Sequence, residues 1–179
     1  MMNQNAYWYV LFTRTGQEEK AEQILKRQLG SDDFTPFIPM LQTIFRHQGQ
    51  IKKELGPLFP GYVFIESKMT SIEIMERTRN IISTSKDFVR FLQYGDTGDI
   101  AMRDHERNIL LSLCNNEGCI ELSRGIIEGA RIYIKEGPLK GFESIIKKVN
   151  RHKRQAVICL SFMGEERLVR VGLEIVEKR

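Results

Sequence analysis

Apolar side chains change rhythm part-way along the chain. Short runs and helical stripes alternate up to about residue 114, and from Ile126 only short alternating or continuous runs remain. Tyr7 to Thr13 (YWYVLFT) is aromatic and β-branched without a helical period, which predicts a buried strand. Thr15 with Glu18 three residues later forms a capping box, and Ala21, Ile24, Leu25 and Leu29 then share one stripe, predicting a helix that ends at Gly30. Glu22 and Lys26 make a favourable i,i+4 pair on its outer side.

Ser31 to Pro39, with two prolines and two aspartates, reads as an irregular crossing. Thr43 to Arg46 and Ile51 to Leu55 flank a polar hairpin tip at 47–50. Tyr62 to Ile65 is a second strand, and Thr70 with Glu73 opens a helix running to about Arg79 with Ile72, Ile74 and Met75 inward. Asp87 to Leu92 reads as a strand, Gly95 to Asp99 as a turn, and about Asp104 to Cys114 as a helix. The order β-α-β-β-α-β-α predicts an α+β layer, an antiparallel sheet with helices on one face.

Beyond residue 126, Arg131 to Lys135 alternates, Glu143 to Val149 is β-branched, and Ala156 to Leu160 and Leu168 to Val171 are apolar runs. Short strands between glycine, proline and charged turns predict a small β-barrel. The expected division is an N-terminal domain at 1–115, a linker at 116–125 and the barrel at 126–179. A helical alternative for the last part would place Gly137, Pro138, Gly141 and Gly164 in or near helix interiors, where glycine costs about 1 and proline about 3 kcal/mol.

Charge sharpens this division. Residues 126–179 carry 12 Lys+Arg against 7 Asp+Glu, and residues 1–125 carry 15 against 16, so a net +4 separates into +5 and −1. A basic C-terminal module suits nucleic acid or ribonucleoprotein. Hydrophobic residues at 41% and charged residues at 28% exclude a wholly disordered chain. No apolar run reaches the roughly 18 residues of a membrane span, and the expectation is a soluble, cytoplasmic monomer without a membrane partner.

Candidate chemistry is sparse. Cys114, Cys119 and Cys159 are odd in number and form no C-x-x-C pair, which argues against a disulfide framework and a zinc site. His47, His105 and His152 fall in separate segments with no metal-ligand spacing, and Gly137 to Gly141 lacks the G-K-[ST] ending of a phosphate loop. Neither a catalytic constellation nor a cofactor is expected.

Pro57-Leu58-Phe59-Pro60-Gly61-Tyr62-Val63-Phe64-Ile65, preceded by YWYVLFTRTGQEEKAEQIL, resembles the N-terminal domain of the NusG family of transcription elongation factors. Arg131 to Glu143 (RIYIKEGPLKGFE) is similar to the KOW motif that begins that family's C-terminal barrel. Pro57 to Pro60, Asp87 to Phe91, the intact KOW motif and the basic Lys147 to Arg154 segment resemble the specialised, operon-targeted paralogues of the RfaH and LoaP type, with the LoaP type preferred.

The resemblance implies a factor that binds RNA polymerase and suppresses pausing and termination. Phe12, Phe59, Pro60, Tyr62, Phe64 and Phe91 would line the concavity for the polymerase clamp helices, and Thr70 and Ser71 would meet the gate loop. Arg14, Thr15, Gln17, Arg77 and Arg79, with Arg46, His47, Lys52 and Lys53 at the hairpin, would contact nucleic acid, either nascent RNA or non-template DNA. Lys147, Lys148, Arg151, His152, Lys153 and Arg154 form a dense basic segment in the barrel, and Phe162 and Met163 sit where the family's barrel binds ribosomal protein S10.

Each assignment has a plainer counterpart. Tyr62 and Phe64 share one strand face, which is either an aromatic interface or ordinary core; Thr70 and Ser71 are equally good helix caps. Two rivals to the overall reading remain, a ribosome-associated KOW RNA-binding protein and an enzyme on an α+β fold.

Overall fold

The computed structural model describes residues 6–29, 34–47 and 50–178. The strands are β1 (Tyr7–Thr13), β2 (Phe34–Phe37), β3 (Met40–His47), β4 (Gln50–Pro57), β5 (Tyr62–Ser67), β6 (Phe88–Phe91), β7 (Cys119–Ile120), β8 (Ser123–Glu128), β9 (Arg131–Glu136), β10 (Ile146–Asn150), β11 (Gln155–Phe162) and β12 (Glu165–Lys178). The helices are α1 (Glu18–Leu29), α2 (Ser71–Thr84) and α3 (Asp104–Leu113). The fold is mixed α+β. Contacts divide it into two units, residues 1–39 with 59–108, and residues 40–58 with 109–179.

The first unit is built on an antiparallel sheet in the order β2-β5-β1-β6. Tyr9, Leu11, Val63 and Ile65 alternate onto one face, where Ala21, Leu25 and Leu29 of α1 and Ile74 and Ile81 of α2 cover them. β2 falls in the segment expected to be irregular; it is an edge strand, where Pro36 breaks no interior ladder.

α2 begins with the expected capping box, Thr70 and Glu73 bonding reciprocally. Its buried stripe is Ile74, Thr78 and Ile81, at i, i+4 and i+7. Ile72, at 72% exposure, and Met75 therefore point outward, contrary to the expected inward stripe. A threonine takes the interior position because its hydroxyl donates to the Ile74 carbonyl at 2.7 Å, a self-contained partner that a hydrophobicity pattern does not register.

The second unit holds a three-stranded sheet, β4-β3-β7, and a five-stranded sheet, β10-β11-β12-β8-β9. β7 and the start of β8 lie within the 116–125 stretch. The first half of β12 pairs antiparallel with β11 from Glu165 to Gly172, and the second half pairs parallel with β8 from Leu173 onward. The apolar run 156–160 resolves into alternation, with Ala156, Ile158 and Leu160 buried. The segment expected as a strand from Glu143 opens with a short 3₁₀ turn, Glu143–Ile145, before β10.

Candidate functional site

The second face of the first sheet carries the aromatic residues. Direct cross-strand partners share a face, so Trp8 with Glu66, Val10 with Phe64 and Phe12 with Tyr62 lie together, and Phe37 joins them opposite Phe64. Trp8, Phe37, Phe59 and Phe64 form one ring cluster, with centroids 5.0 Å apart for Trp8–Phe37 and 5.4 Å for Phe37–Phe64. The Trp8 indole N–H donates to Glu66 Oε2 at 3.0 Å, satisfying its polar handle beneath the surface.

This packing corrects the expectation of an aromatic face open along its length. Phe64 is wholly buried and Phe59 nearly so, because other rings fill the face that strand alternation left unassigned. Its accessible parts are the outer end, where Phe12 and Tyr62, half-buried with ring centroids 5.4 Å apart, stand beside exposed Pro60, and Phe37 on the edge strand, also half-buried. Phe91 is on the opposite face. It pairs with Leu11 and packs against the helix-covered core, while Arg90, opposite Phe12, takes the place beside the aromatic pair.

The outer end is held by an interaction the sequence reading assigned elsewhere. Glu18 closes no capping box with Thr15; its buried carboxylate accepts from the Gly61 N–H at 2.6 Å, and the Gly61 carbonyl accepts from the Thr13 N–H at 2.7 Å. Gly61 has φ +88°, and an added Cβ would meet Thr15 Oγ1 at 3.2 Å and the Phe12 ring at 3.4 Å. The turn that presents Pro60 and Tyr62 is thereby tied to both β1 and α1.

Thr70 and Ser71 both have internal partners. Thr70 caps α2, and the Ser71 hydroxyl donates to Asp99 Oδ1 at 2.9 Å. Arg14, Thr15 and Gln17 are exposed at the β1–α1 junction, where Lys20 pairs with Asp87 at 2.8 Å. Arg77 and Arg79 are exposed on α2, but residues two apart on a helix project roughly 200° apart, so these two do not share one face.

In the second unit, Lys52 and Lys53 are exposed on β4; the side chains of Arg46 and His47 lie outside the described set. Lys147, Lys148, Arg151, His152 and Lys153 are exposed along β10 and its turn. Arg154 is structural: its guanidinium pairs with Glu174 at 3.3 Å, and Glu174 also pairs with Arg124. Phe162 and Met163 are buried, a correction to the exposed apolar edge expected there, since β11 alternation turns Phe162 inward and Met163 adopts φ +52°. β12 instead presents Leu168, at 69% exposure, and Val176, at 60%, as exposed apolar side chains.

The family described as "NusG: Transcription termination factor nusG" matches residues 6–111. The chain belongs to the NusG family. It is 23% identical over 182 residues to the transcription termination/antitermination protein NusG of Buchnera aphidicola, covering 98% of each chain. The protein of the same name from Thermus thermophilus is 25% identical over 180 residues, covering 96% of this chain and 97% of that one. The solved structure "Domain interaction in Thermotoga maritima NusG" has a TM-score of 0.52 at 18% identity, covering 95% of this chain and 94% of that one, a likeness of fold. NusG-family members are transcription factors, not enzymes. Among the described residues, no helix is long and apolar enough to cross a membrane.

For this NusG-family chain the sequence reading missed Arg90, Glu18 in its clasp and Phe45 on β3. For Phe45 the available signal was strand alternation against buried Ile44; Arg90 lies two residues after buried Phe88, where alternation alone puts both on one face, and it is the register shift in the β1–β6 pairing that separates them.

Proposed function

We propose that the chain is a transcription elongation and antitermination factor that binds RNA polymerase through the outer end of its aromatic face. The observation that carries this reading is the half-buried Phe12–Tyr62 pair, rooted on wholly buried Phe64 and flanked by exposed Pro60. Rigid aromatic anchors of this kind dominate interface energy. Phe59 and Phe64 support the contact from beneath, and Arg90 supplies a cation at its rim. Thr70 and Ser71, at the start of α2, are the proposed gate-loop contact.

Binding the closed polymerase clamp more tightly than the open one shifts the population away from paused and terminating states. With residues 1–39 and 59–108 bound to the polymerase, the second unit, 40–58 with 109–179, recruits a further partner at raised effective concentration. Ribosomal protein S10 is one such partner, with Leu168 as an accessible apolar contact. The basic segment 147–153 and the intact KOW motif support a specialised, LoaP-type, operon-directed role in the cytoplasm, with recruitment through nucleic acid. The test is capture of the chain by purified core RNA polymerase. Tyr62→Ala should abolish most capture while the fold persists, and undiminished capture would reject this contact surface.

A further inference from the structure

A groove of about 570 Å³ in the second unit is lined by Ile44 and Phe45 of β3 and by residues 151–155 of the β10–β11 turn. Ile44 is buried and Phe45 is 40% exposed, with its direct cross-strand neighbour, Lys52, also exposed. The turn is fixed from within. The Lys153 N–H donates to Asn150 Oδ1 at 2.9 Å, and the Arg154 N–H to the Arg151 carbonyl at 3.2 Å. The Leu173 N–H donates to the Arg154 carbonyl at 3.0 Å, tying the turn to β12.

Charge in this turn is divided. Arg154 is neutralised by Glu174, whereas among the described residues no ion pair engages Arg151 or Lys153, both of which are exposed. A rigid wall therefore sets two uncompensated cations against an accessible aromatic ring. We propose that this groove binds single-stranded nucleic acid, with a base stacked on Phe45 and the adjoining phosphates held by Arg151 and Lys153. The inference rests on the nucleic-acid reading above and adds the form of the strand, the place and the stacking residue.

The combination selects the ligand class. Stacking on a side chain needs an unpaired base with a free face, so a duplex offers this groove only its phosphates. Phosphates that meet the cations release their counterions, which makes that part of binding salt-dependent and leaves the stacking part nearly salt-independent. An acidic peptide would satisfy Arg151 and Lys153 but would have no flat partner for Phe45.

The full chain is titrated with an oligouridine RNA of about 12 nucleotides, the matching DNA strand, a duplex RNA and oligoglutamate. Phe45→Ala should weaken single-strand binding by about 5- to 150-fold, the worth of one stacked base, with the salt slope unchanged. Phe45→Trp should restore it. Arg151→Gln with Lys153→Gln should flatten the slope by about 0.7 for each phosphate no longer held. Phe45→Ala should leave duplex binding as it was. Phe45 is a surface residue, and a melting curve of each variant confirms the fold. Single-strand binding that survives Phe45→Ala and the double neutralisation alike overturns the groove while leaving the nucleic-acid reading intact. Failure to bind any nucleic acid overturns both, and oligoglutamate binding that depends on Phe45 makes the groove a peptide site. Equal affinity for RNA and DNA strands supports a stacking site blind to the sugar, and a preference for either supports the same site with a 2′-hydroxyl contact or its exclusion.

Discussion

Glu18 and Gly61 are forty-three positions apart in the chain, and the buried carboxylate of one accepts the backbone N–H of the other at 2.6 Å. The bond fixes the turn that presents Pro60 and Tyr62. It also explains why a carboxylate at the first position of α1 is buried rather than solvated, since it supplies an acceptor for a donor that would otherwise be orphaned. Glu18→Ala should destabilise the fold by about 1–3 kcal/mol, and Glu18→Gln by less, because an amide oxygen still accepts. Gly61→Ala should cost a further class of strain, about 1–2 kcal/mol, for its positive φ. Urea unfolding of the three variants checks the order.

Tyr62 and Phe64 should separate cleanly on mutation. Truncating buried Phe64 to alanine should cost about 3–5 kcal/mol of stability. Tyr62→Ala should cost less stability and about 2 kcal/mol or more of polymerase affinity. Parallel melting and binding curves decide the matter, and equal stability losses with equal binding would place both residues in the core alone.

The cap of α2 should be acid-sensitive. Glu73 accepts from the Thr70 backbone N–H and from its hydroxyl, each at 2.8 Å, and these bonds hold its carboxyl below the ordinary range. A depressed folded-state pKa gives stability that is fully present above the unfolded value, about 4.3, and lost as pH falls through the folded value. NMR titration should place the Glu73 midpoint below that of a free glutamate. Glu73→Gln should remove this contribution to the acid-side loss of melting temperature; a Glu73 midpoint at or above the ordinary value would contradict the bond.

Two glycines of the KOW-like segment should respond differently to alanine. At Gly137, φ +94°, an added Cβ would meet the Leu122 carbonyl oxygen and Ser123 Cα at 2.7 Å, backbone atoms that do not yield. At Gly141, φ +85°, the space is open. Gly141→Ala should therefore show backbone strain alone, about 1–2 kcal/mol, and Gly137→Ala that strain plus about 1–3 kcal/mol of overpacking. Thermal unfolding of the two variants measures the gap.

The elements with strong local signals were legible in the sequence. Tyr7–Thr13 was bounded to the residue, and Thr70 with Glu73 announced α2. What local pattern could not supply was the identity of distant partners. Alternation placed Tyr62 and Phe64 on one face, but only the arrival of Trp8, Phe37 and Phe59 decides that Phe64 is covered and Tyr62 is not. Phe91 was misassigned because the register shifts between Phe12 and Thr13, which sets the face of β6 independently of its own sequence. β2 was missed because two prolines outweighed its aromatic residues, a weighting valid for a central strand and not for an edge. The groove at Phe45 needed β3 and a turn more than a hundred residues later, a pairing no periodicity encodes.

The second unit draws residues 40–58 together with 109–179, and its β12 runs to Lys178. On the ribosome the β3–β4 hairpin therefore emerges long before its neighbour: at about 5–20 residues per second, roughly 6–24 s separate Pro57 from Lys178. Gly172 lies so near the Gln42 carbonyl that an added Cβ would sit 2.9 Å from it, so the hairpin has a neighbour that is made long after it. Every residue of the first unit, up to Asn108, precedes that moment. Vectorial synthesis thus makes the first unit available first and leaves the nascent hairpin waiting, with an unmatched flank, until Gly172 has been added.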